Sequence, residues 1–495
     1  MTEQQIVETG DAAFRSEDVR VPIFPEWTCS VTDYGAKGDG IVKNTDAFNE
    51  AVTACAAAGG GTVIIPKGIW LTGPIRLKSK VRLHAEDGAL IIFSRDFDDY
   101  PLIPSNYEGL QAVRAMPPLY GENLTDIAIT GAGIFDGSGD AWRCVKKHKM
   151  TERQWKQIVS SGGVVDANNL WWPTREASKG RQATEALQAE GIMDIAAYEP
   201  YKVYLRPVLV GLTNCHDVLL DGPTFQNSGS WCLHPRLCEH VTIRNVTVRN
   251  PWHSVNGDGL DLESCRYANI HNSSFDVGDD AICLKSGKNE QGRRTGVPTE
   301  YVTIRNCTVY HGHGGFTVGS EMSGGVRHVE VSDCTFIGTD NGLRFKSTRG
   351  RGGVVENITI SNIWMKDIIK DAIVFDMYYE IKQEYADLAP VTEETPCFRN
   401  ISISDTYCSG ADKGIFLRGL PEMLLQNLRF DRVNVVANEG IACIDAEDVL
   451  FRDVRVTSRP GTEFREHNSR GIRFIDAEGN VSNGPRSGIS GITSN

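Results

Sequence analysis

The chain is predicted to fold as an all-β protein, a right-handed parallel β-helix with an N-terminal capping helix and a partly helical insert. Three observations predict it. A short pattern recurs: Cys215-His-Asp-Val218-Leu-Leu220 aligns with Cys238-Glu-His-Val241-Thr-Ile243-Arg-Asn245 and with Cys265-Arg-Tyr-Ala268-Asn-Ile270-His-Asn272, and the pattern returns around Val302, Val329, Ile358, Ile401 and Val449. Each unit alternates apolar and polar residues, and most close on Asn or Asp, which reads as a short strand ending at a turn. The intervals between aligned apolar residues are mostly in the twenties, the period of a stacked repeat. Strands this short cannot bury a face alone. Stacked in register they share one core, and parallel crossovers are right-handed.

The elements follow in order. Residues 1–28 read as an extended lead-in, and 29–495 as a single β-helix domain. Asn44-Thr45-Asp46 caps a helix from Ala47 to Ala58, with Phe48, Ala51, Val52 and Cys55 on one face. Gly59-Gly60-Gly61 stops it, and Thr62–Ile65 is a strand. These glycines end a helix where a phosphate loop would begin one, and no Lys-Ser/Thr follows, which argues against nucleotide binding. The helix is placed to close the open end of a strand stack. Weaker copies of the repeat at Val81-Arg-Leu83 and Ile127-Ala-Ile129 start the stack well before residue 215. The rhythm lapses in an insert at about 138–204. There Thr151 and Gln154 form a capping box opening a helix whose apolar face is Trp155, Ile158 and Val159, and a second helical stretch runs around Ala183–Gln188. Trp171 and Trp172 between them are expected to pack the insert, with a sugar-stacking platform as the alternative.

Composition narrows the function. A net charge of −13 argues against non-specific nucleic-acid binding and requires that any polyanionic substrate meet a local basic cleft. The 13 cysteines are dispersed, without the paired spacing of a zinc site, and read as buried, reduced thiols. No basic region followed by an apolar run opens the chain and no apolar stretch is long enough to span a membrane, so the expectation is a cytoplasmic protein, or a periplasmic or secreted one if a leader was removed. No metal, nucleotide or haem motif implies a cofactor. The oligomeric state is left open, a homo-oligomer included.

The chemistry concentrates between Asn256 and Lys346. Asn256-Gly-Asp258-Gly-Leu-Asp261, Gly278-Asp279-Asp280, Gly312-His313-Gly314 and Arg344-Phe-Lys346 recur at one point of successive units, which brings three carboxylates, a histidine and two cations together. Carboxylates crowded into one cleft raise each other's pKa, and a glycosidase uses that tension to keep one protonated as acid while another stays ionised as base. Asp261 and Asp276 read as turn residues. Lys285, Lys288, Arg293, Arg294, Arg349 and Arg351 extend a basic cluster around Arg344 and Lys346, suited to a polyuronate.

These four motifs, in this order, resemble the polygalacturonase family, glycoside hydrolase family 28, over a stretch from about Val31 through the last repeats. The resemblance implies a pectin-lyase-like parallel β-helix and an inverting hydrolase of α-1,4-linked galacturonate. Carried across, it implies Asp279 as general acid and Asp258 and Asp280 as the pair that positions and deprotonates the water. His313 would support the acid, and Arg344 and Lys346 would hold the galacturonate carboxylate. Acid and base are expected to stand far enough apart to admit that water. Tyr378 and Lys285 are further candidates for the cleft. The chain departs from the family pattern at Gly257, where Thr is common, and at Leu262-Glu263.

The insert and the Gly287–Thr299 loop are placed to wall off one end of the cleft, and Ser230-Trp231-Cys-Leu-His234-Pro and Ser347-Thr-Arg349-Gly-Arg351 resemble bacterial exo-acting members. Removal of terminal galacturonate is therefore expected, with Arg349, Arg351 or His234 recognising the chain end. The rivals are a hydrolase of rhamnogalacturonan or substituted galacturonan, a calcium-dependent β-helix lyase and a non-catalytic glycan-binding β-helix.

Overall fold

In the computed structural model the described residues are 14–381, 387–482 and 484, so the first thirteen residues of the lead-in lie outside them. Each repeat predicted from the sequence is a strand of one large parallel sheet, in register from His216–Asp221 through Glu239–Arg244, Arg266–His271 and Thr299–Arg305. The turn that follows is bent by a residue in left-handed backbone. Asn245, Asn272, Asn306, Asp333, Asn362 and Asp405 take φ between 47° and 57°, a conformation that Asn and Asp tolerate best after glycine. Beyond these bends the chain continues into strands of the same sheet, such as Ser274–Asp276, or runs through the bend as one long strand, as in Val354–Lys366. A further coil, Leu425–Val436, lies between the units read at Ile401 and Val449.

The other wall of the solenoid is a separate sheet of twelve strands, parallel throughout, whose strands the repeat pattern did not reveal. In it Leu260–Glu263, Ile282–Lys285, Gly314–Val318 and Asn341–Lys346 lie side by side. Leu260, Leu262, Ile282, Leu284, Phe316, Val318, Leu343 and Phe345 point into the common core. The neighbouring strand positions face outward, and Asp261, Cys283, Thr317 and Arg344 pair in one row. All thirteen cysteines are free and buried, as the sequence predicts.

Helix α1 (Thr45–Ala57) closes the first coil with Phe48, Ala51, Val52 and Cys55 buried. Its Asn44 does not cap by side chain. It donates instead to the carbonyls of Lys37, Val42 and Leu71, tying the entry loop to the first coils. The insert holds α2 (Glu152–Ser160), with the expected Thr151/Gln154 capping box, and α3 (Arg175–Ala189), longer than predicted. Trp155 and Trp171 pack together there, Trp171 and Trp172 are buried with their indole N–H groups donating to Gly162 and Asp166, and Val159 is exposed. Among the described residues no helix is long and apolar enough to cross a membrane.

Candidate active site

Asp258, Asp279, Asp280 and His313 are not on strands. They occupy the turns that lead into Leu260–Glu263, Ile282–Lys285 and Gly314–Val318, one turn per coil. Backbone hydrogen bonds ladder these turns together: Gly278 N–H donates to Gly257 O (3.2 Å), Gly259 N–H to Asp280 O (2.9 Å) and His313 N–H to Asp279 O (2.8 Å). Oxygens of Asp258, Asp279 and Asp280 consequently lie within 4.8 Å of one another. A water hydrogen-bonded to two such oxygens spans a gap of about this size.

Two glycines permit this crowding. A Cβ on Gly314 would lie 2.2 Å from Thr317 Oγ1 and 3.3 Å from Asp280 Oδ1. A Cβ on Gly257 would stand 2.3 Å from that of Ser254, which accounts for the absence here of the threonine common in the family. The loop before Asp258 is braced by Arg206, whose guanidinium donates to Val255 O (2.8 Å) and Asn256 Oδ1 (2.9 Å).

The three carboxylates are electrostatically distinct. Asp280 is almost fully buried, and burial alone would raise it, but Lys346 Nζ at 2.7 Å from Oδ2 and Arg344 at 3.1 Å from Oδ1 hold its carboxyl far below the usual range. Asp258 has only a more distant cation, Lys285 Nζ at 3.9 Å from Oδ2. Burial first, then the charges of Asp261 and Asp279, push it well above the usual range, and its Oδ1 has no hydrogen-bond partner. Asp279 is half-buried. Burial raises it, and the hydrogen bond from His313 Nδ1, 2.8 Å away, together with the nearby cations, brings it below its ordinary value. The resting cluster therefore has Asp280 ionised, and its most tightly held proton is on Asp258. The oxygens are close enough for a cation to bridge, but Lys346 and Arg344 already neutralise Asp280, which disfavours a divalent ion at that carboxylate.

Several sequence expectations need correction. Asp261 is no turn residue: it is a fully buried, outward-facing strand residue with Oδ1 2.9 Å from Lys285 Nζ, and burial lifts it to about 7 against the pull of that cation. Lys285, expected on the substrate, is itself buried between Asp261 and the face of Trp231, 3.6 Å from the ring centroid. Tyr378 is in the core, and the next residue, Tyr379, lies over Lys346 and Arg344, at 5.0 and 5.8 Å. Both lie past the end of the strand Asp371–Asp376, where the chain turns after Met377 and Tyr378 enter the core. Arg349 is held by both oxygens of Glu422 at 2.7 Å. Arg351 is a buried brace, donating to Ser320 O and Asn289 Oδ1. Neither guanidinium is aimed at a chain end. Arg344 and Lys346 meet Asp280, although Arg344 uses only one of its five or so N–H donors there.

Residues that the sequence reading did not single out surround the same sheet. Glu321 is drawn down to about 2: burial opposes ionisation, and Lys285, Lys346 and Lys288 more than offset it. The antiparallel hairpin Leu102–Tyr107/Leu110–Ala115 stands beside the cleft sheet. Its signal was present in Glu108-Gly109, both at positive φ, the two-residue turn of tight hairpins. The hairpin is latched to the short helix of the Gly287–Thr299 loop: Lys288 N–H donates to Gly109 O (3.0 Å) and Gln111 N–H to Gln291 Oε1 (2.8 Å). Together they enclose a cavity of about 280 Å³ whose lining includes Tyr107, Arg114, His234, Arg236, Glu263 and Arg294, and none of the three carboxylates or the two cations facing Asp280. Within it His234 Nε2 lies 2.8 Å from Glu263 Oε2. The insert buttresses this wall, as Trp142 and Tyr198 pack with Tyr100, Leu102 and Val113 at the base of the hairpin.

Residues 194–402 match the family described as Glycosyl hydrolases family 28, and residues 28–94 match one described as Rhamnogalacturonase A/epimerase, pectate lyase-like. The chain is 29% identical over 404 residues to a probable polygalacturonase of Vitis vinifera, covering 80% of this chain and 71% of that protein. It is 24% identical over 450 residues to an exo-poly-alpha-D-galacturonosidase of Dickeya chrysanthemi, covering 87% and 72%. A hyperthermoactive exopolygalacturonase from Thermotoga maritima shares its structure with a TM-score of 0.74 at 28% identity, over 91% of this chain and 94% of that one. All the turns that gather the carboxylates, and both cations facing Asp280, fall inside the longer family match; the protein is a glycoside hydrolase that carries a match to glycosyl hydrolases family 28 over residues 194–402.

Proposed function

We propose that the protein hydrolyses α-1,4-linked galacturonate in pectic poly- or oligosaccharide, with inversion, and releases the terminal unit. The observation that carries the reading is the division of labour among three carboxylates on two adjacent turns. Asp280, held ionised by Lys346 and Arg344, is the base. Asp258, beside it, orients the water and gives up its proton to the cluster as substrate arrives. Asp279, the most exposed of the three with 22% of its side chain open, reaches the glycosidic oxygen and must be protonated there to act as the acid. The free donors of Arg344 can take the carboxylate of a galacturonate in a bidentate pair.

Terminal action is supported by the hairpin and its latch. A cavity of about 280 Å³ is at the small end of ligand sites, on the scale of one or two sugar rings, and Arg114, Arg236 and Arg294 give it the charge to take a uronate. The polygalacturonases among the relatives, and an exopolygalacturonase among the similar structures, support the substrate class. The segment matching the rhamnogalacturonase description lies at the capping end and holds none of the site residues, so it lends no weight to rhamnogalacturonan.

The test is a product time course on polygalacturonate and on short galacturonate oligomers, with Asp279→Asn alongside. Monogalacturonate from the first minutes, lost in the variant, is expected, and proton NMR of the fresh product should show the inverted anomer. Early mid-sized oligomers would overturn the terminal mode, and no product from either substrate would overturn the substrate class.

A further inference from the structure

The insert does more than buttress a wall: it sends one side chain into the catalytic cluster. At the turn Lys147–Lys149, before α2, Lys149 extends its ammonium to 3.1 Å from His313 Nε2 and 3.3 Å from Gly278 O. The opposite ring nitrogen, Nδ1, lies 2.8 Å from Asp279 Oδ1. His313 is thus clamped between a cation and a carboxylate, one on each nitrogen. An ammonium has three hydrogen-bond donors and no acceptor. The nitrogen facing it must therefore accept, and the ring proton is left on Nδ1, where it points at Asp279.

We propose that Lys149 is a positioning residue that fixes the tautomer of His313, keeping the ring neutral with its Nδ1–H committed to Asp279. This rests on the assignment of Asp279 as the acid. An imidazolium beside Asp279 would bind its anion more tightly and oppose the protonation that the reaction needs, and a ring with its proton on Nε2 would give Asp279 no donor at all. Lys149 prevents both by placing a positive charge and a donor where a second ring proton would go. The charged groups around the pair are Asp279 and, more remotely, Lys146, Asp340 and Lys370 on the side of Lys149, with Asp258, Asp280, Arg344 and Lys346 on the side of the carboxylates. Burial lowers the Lys149 ammonium and Asp279 opposes that lowering, so the lysine and the acid feel each other electrostatically.

The experiment compares wild type, Lys149→Met and Lys149→Arg in two readouts. The first is nitrogen NMR of protein labelled at histidine, with the His313 signal identified by its loss in His313→Gln. The Nδ1–H tautomer is expected in wild type and in Lys149→Arg, which keeps a cation that only donates, and a mixed or doubly protonated ring in Lys149→Met. The other histidine signals report that each variant is folded. The second is kinetics: Lys149→Met should lower kcat about 10- to 100-fold, the scale of losing an orienting partner, with KM little changed and Lys149→Arg largely restoring the rate. An Nε2–H ring in wild type, or an unaltered tautomer in Lys149→Met, would overturn the proposal. So would a rise in KM at constant kcat, which would make Lys149 a substrate contact. The NMR result stands whatever the substrate, so a wrong substrate class cannot be mistaken for a wrong role of Lys149.

Discussion

Lys346 Nζ lies 2.7 Å from Asp280 Oδ2, with both side chains nearly sealed from solvent, and this ion pair spans two coils of the solenoid. Removing one member of such a pair leaves the other buried and unpaired, which costs roughly 3–5 kcal/mol. Arg344 remains on the other oxygen, so Lys346→Met should lose about 3 kcal/mol at pH 7 in denaturant unfolding, along with most activity. The sign with pH follows from the lowered carboxyl of Asp280. A carboxyl with a depressed folded-state pKa stabilises fully above its unfolded value of about 4 and loses that contribution as pH falls toward the folded one. The deficit of Lys346→Met should accordingly shrink in unfolding curves recorded progressively below about pH 4.

Asp258 predicts the opposite. Its raised carboxyl means that the folded state resists ionisation, so wild type loses stability as pH rises through the folded value. Asp258→Asn removes that penalty while keeping the shape. The variant should be more stable than wild type by about 1–2 kcal/mol at neutral pH, a common gain when a strained functional group is removed. The advantage should widen from pH 5 to pH 8 in thermal melts, while kcat falls by about 10³-fold or more. A variant less stable than wild type across that range would show that ionised Asp258 is well satisfied.

Gly314→Ala inserts a methyl 2.2 Å from Thr317 Oγ1 and 3.3 Å from Asp280 Oδ1. Thr317 or the turn must move. Overpacking of this kind costs about 1–3 kcal/mol, and small displacements of a base are felt steeply in rate, to about 10²-fold for 1 Å. A fall in kcat of that order with a modest loss in Tm is expected. Double substitution with Thr317→Ala, which clears the closest atom, should recover part of both.

The terminal mode hangs on the hairpin. Shortening the segment between Asn106 and Gln111 to a tight turn removes Tyr107 and the Gly109 carbonyl that holds the Lys288 amide. The cavity then opens to solvent. Chromatography of polygalacturonate digests should shift from monogalacturonate toward longer early products, and viscosity should drop faster per bond cleaved. Unchanged product length would show that the hairpin does not limit the cleft.

Why some of this could be read in the sequence and some could not follows from which surfaces face water. The large sheet alternates buried Val241 and Ile243 with polar partners, and its turns end on Asn245 and Asn272 in left-handed backbone, so period and punctuation are both visible. The cleft sheet offers no such contrast: Asp261, Cys283, Lys285 and Thr317 face outward yet are as buried as their core-facing neighbours, and its strands are hidden in composition. Asp258, Asp279, Asp280 and His313 were legible because each sits in a short local motif at the same corner of successive coils. Tyr378 was misplaced for Tyr379 because both lie in the turn after Asp376, where Met377 and Tyr378 enter the core in succession and no alternation marks which ring turns outward. Arg349 and Arg351 were legible as cations but not as partners of Glu422 and Asn289, which lie dozens of residues away. Lys149 carries no local signal, since its meaning depends on how the insert folds back over Gly278.

The described part of the lead-in, with no periodicity of its own, lies lengthwise against the outside of the coils. Arg20 meets Asp217 and His240, and Phe14 packs on Tyr267 and Tyr301, in a column where His240, Tyr267, Tyr301 and His328 stack 5.0–5.1 Å apart. A stack of repeats ordinarily couples each layer only to the next, so it can fray from an end. A strap that grips non-adjacent layers adds longer-range coupling over the very coils that carry Asp258 and Asp279. Partial opening in the middle of the rod must then also peel away a segment anchored several layers off, and the catalytic turns gain kinetic protection from residues that never approach the substrate.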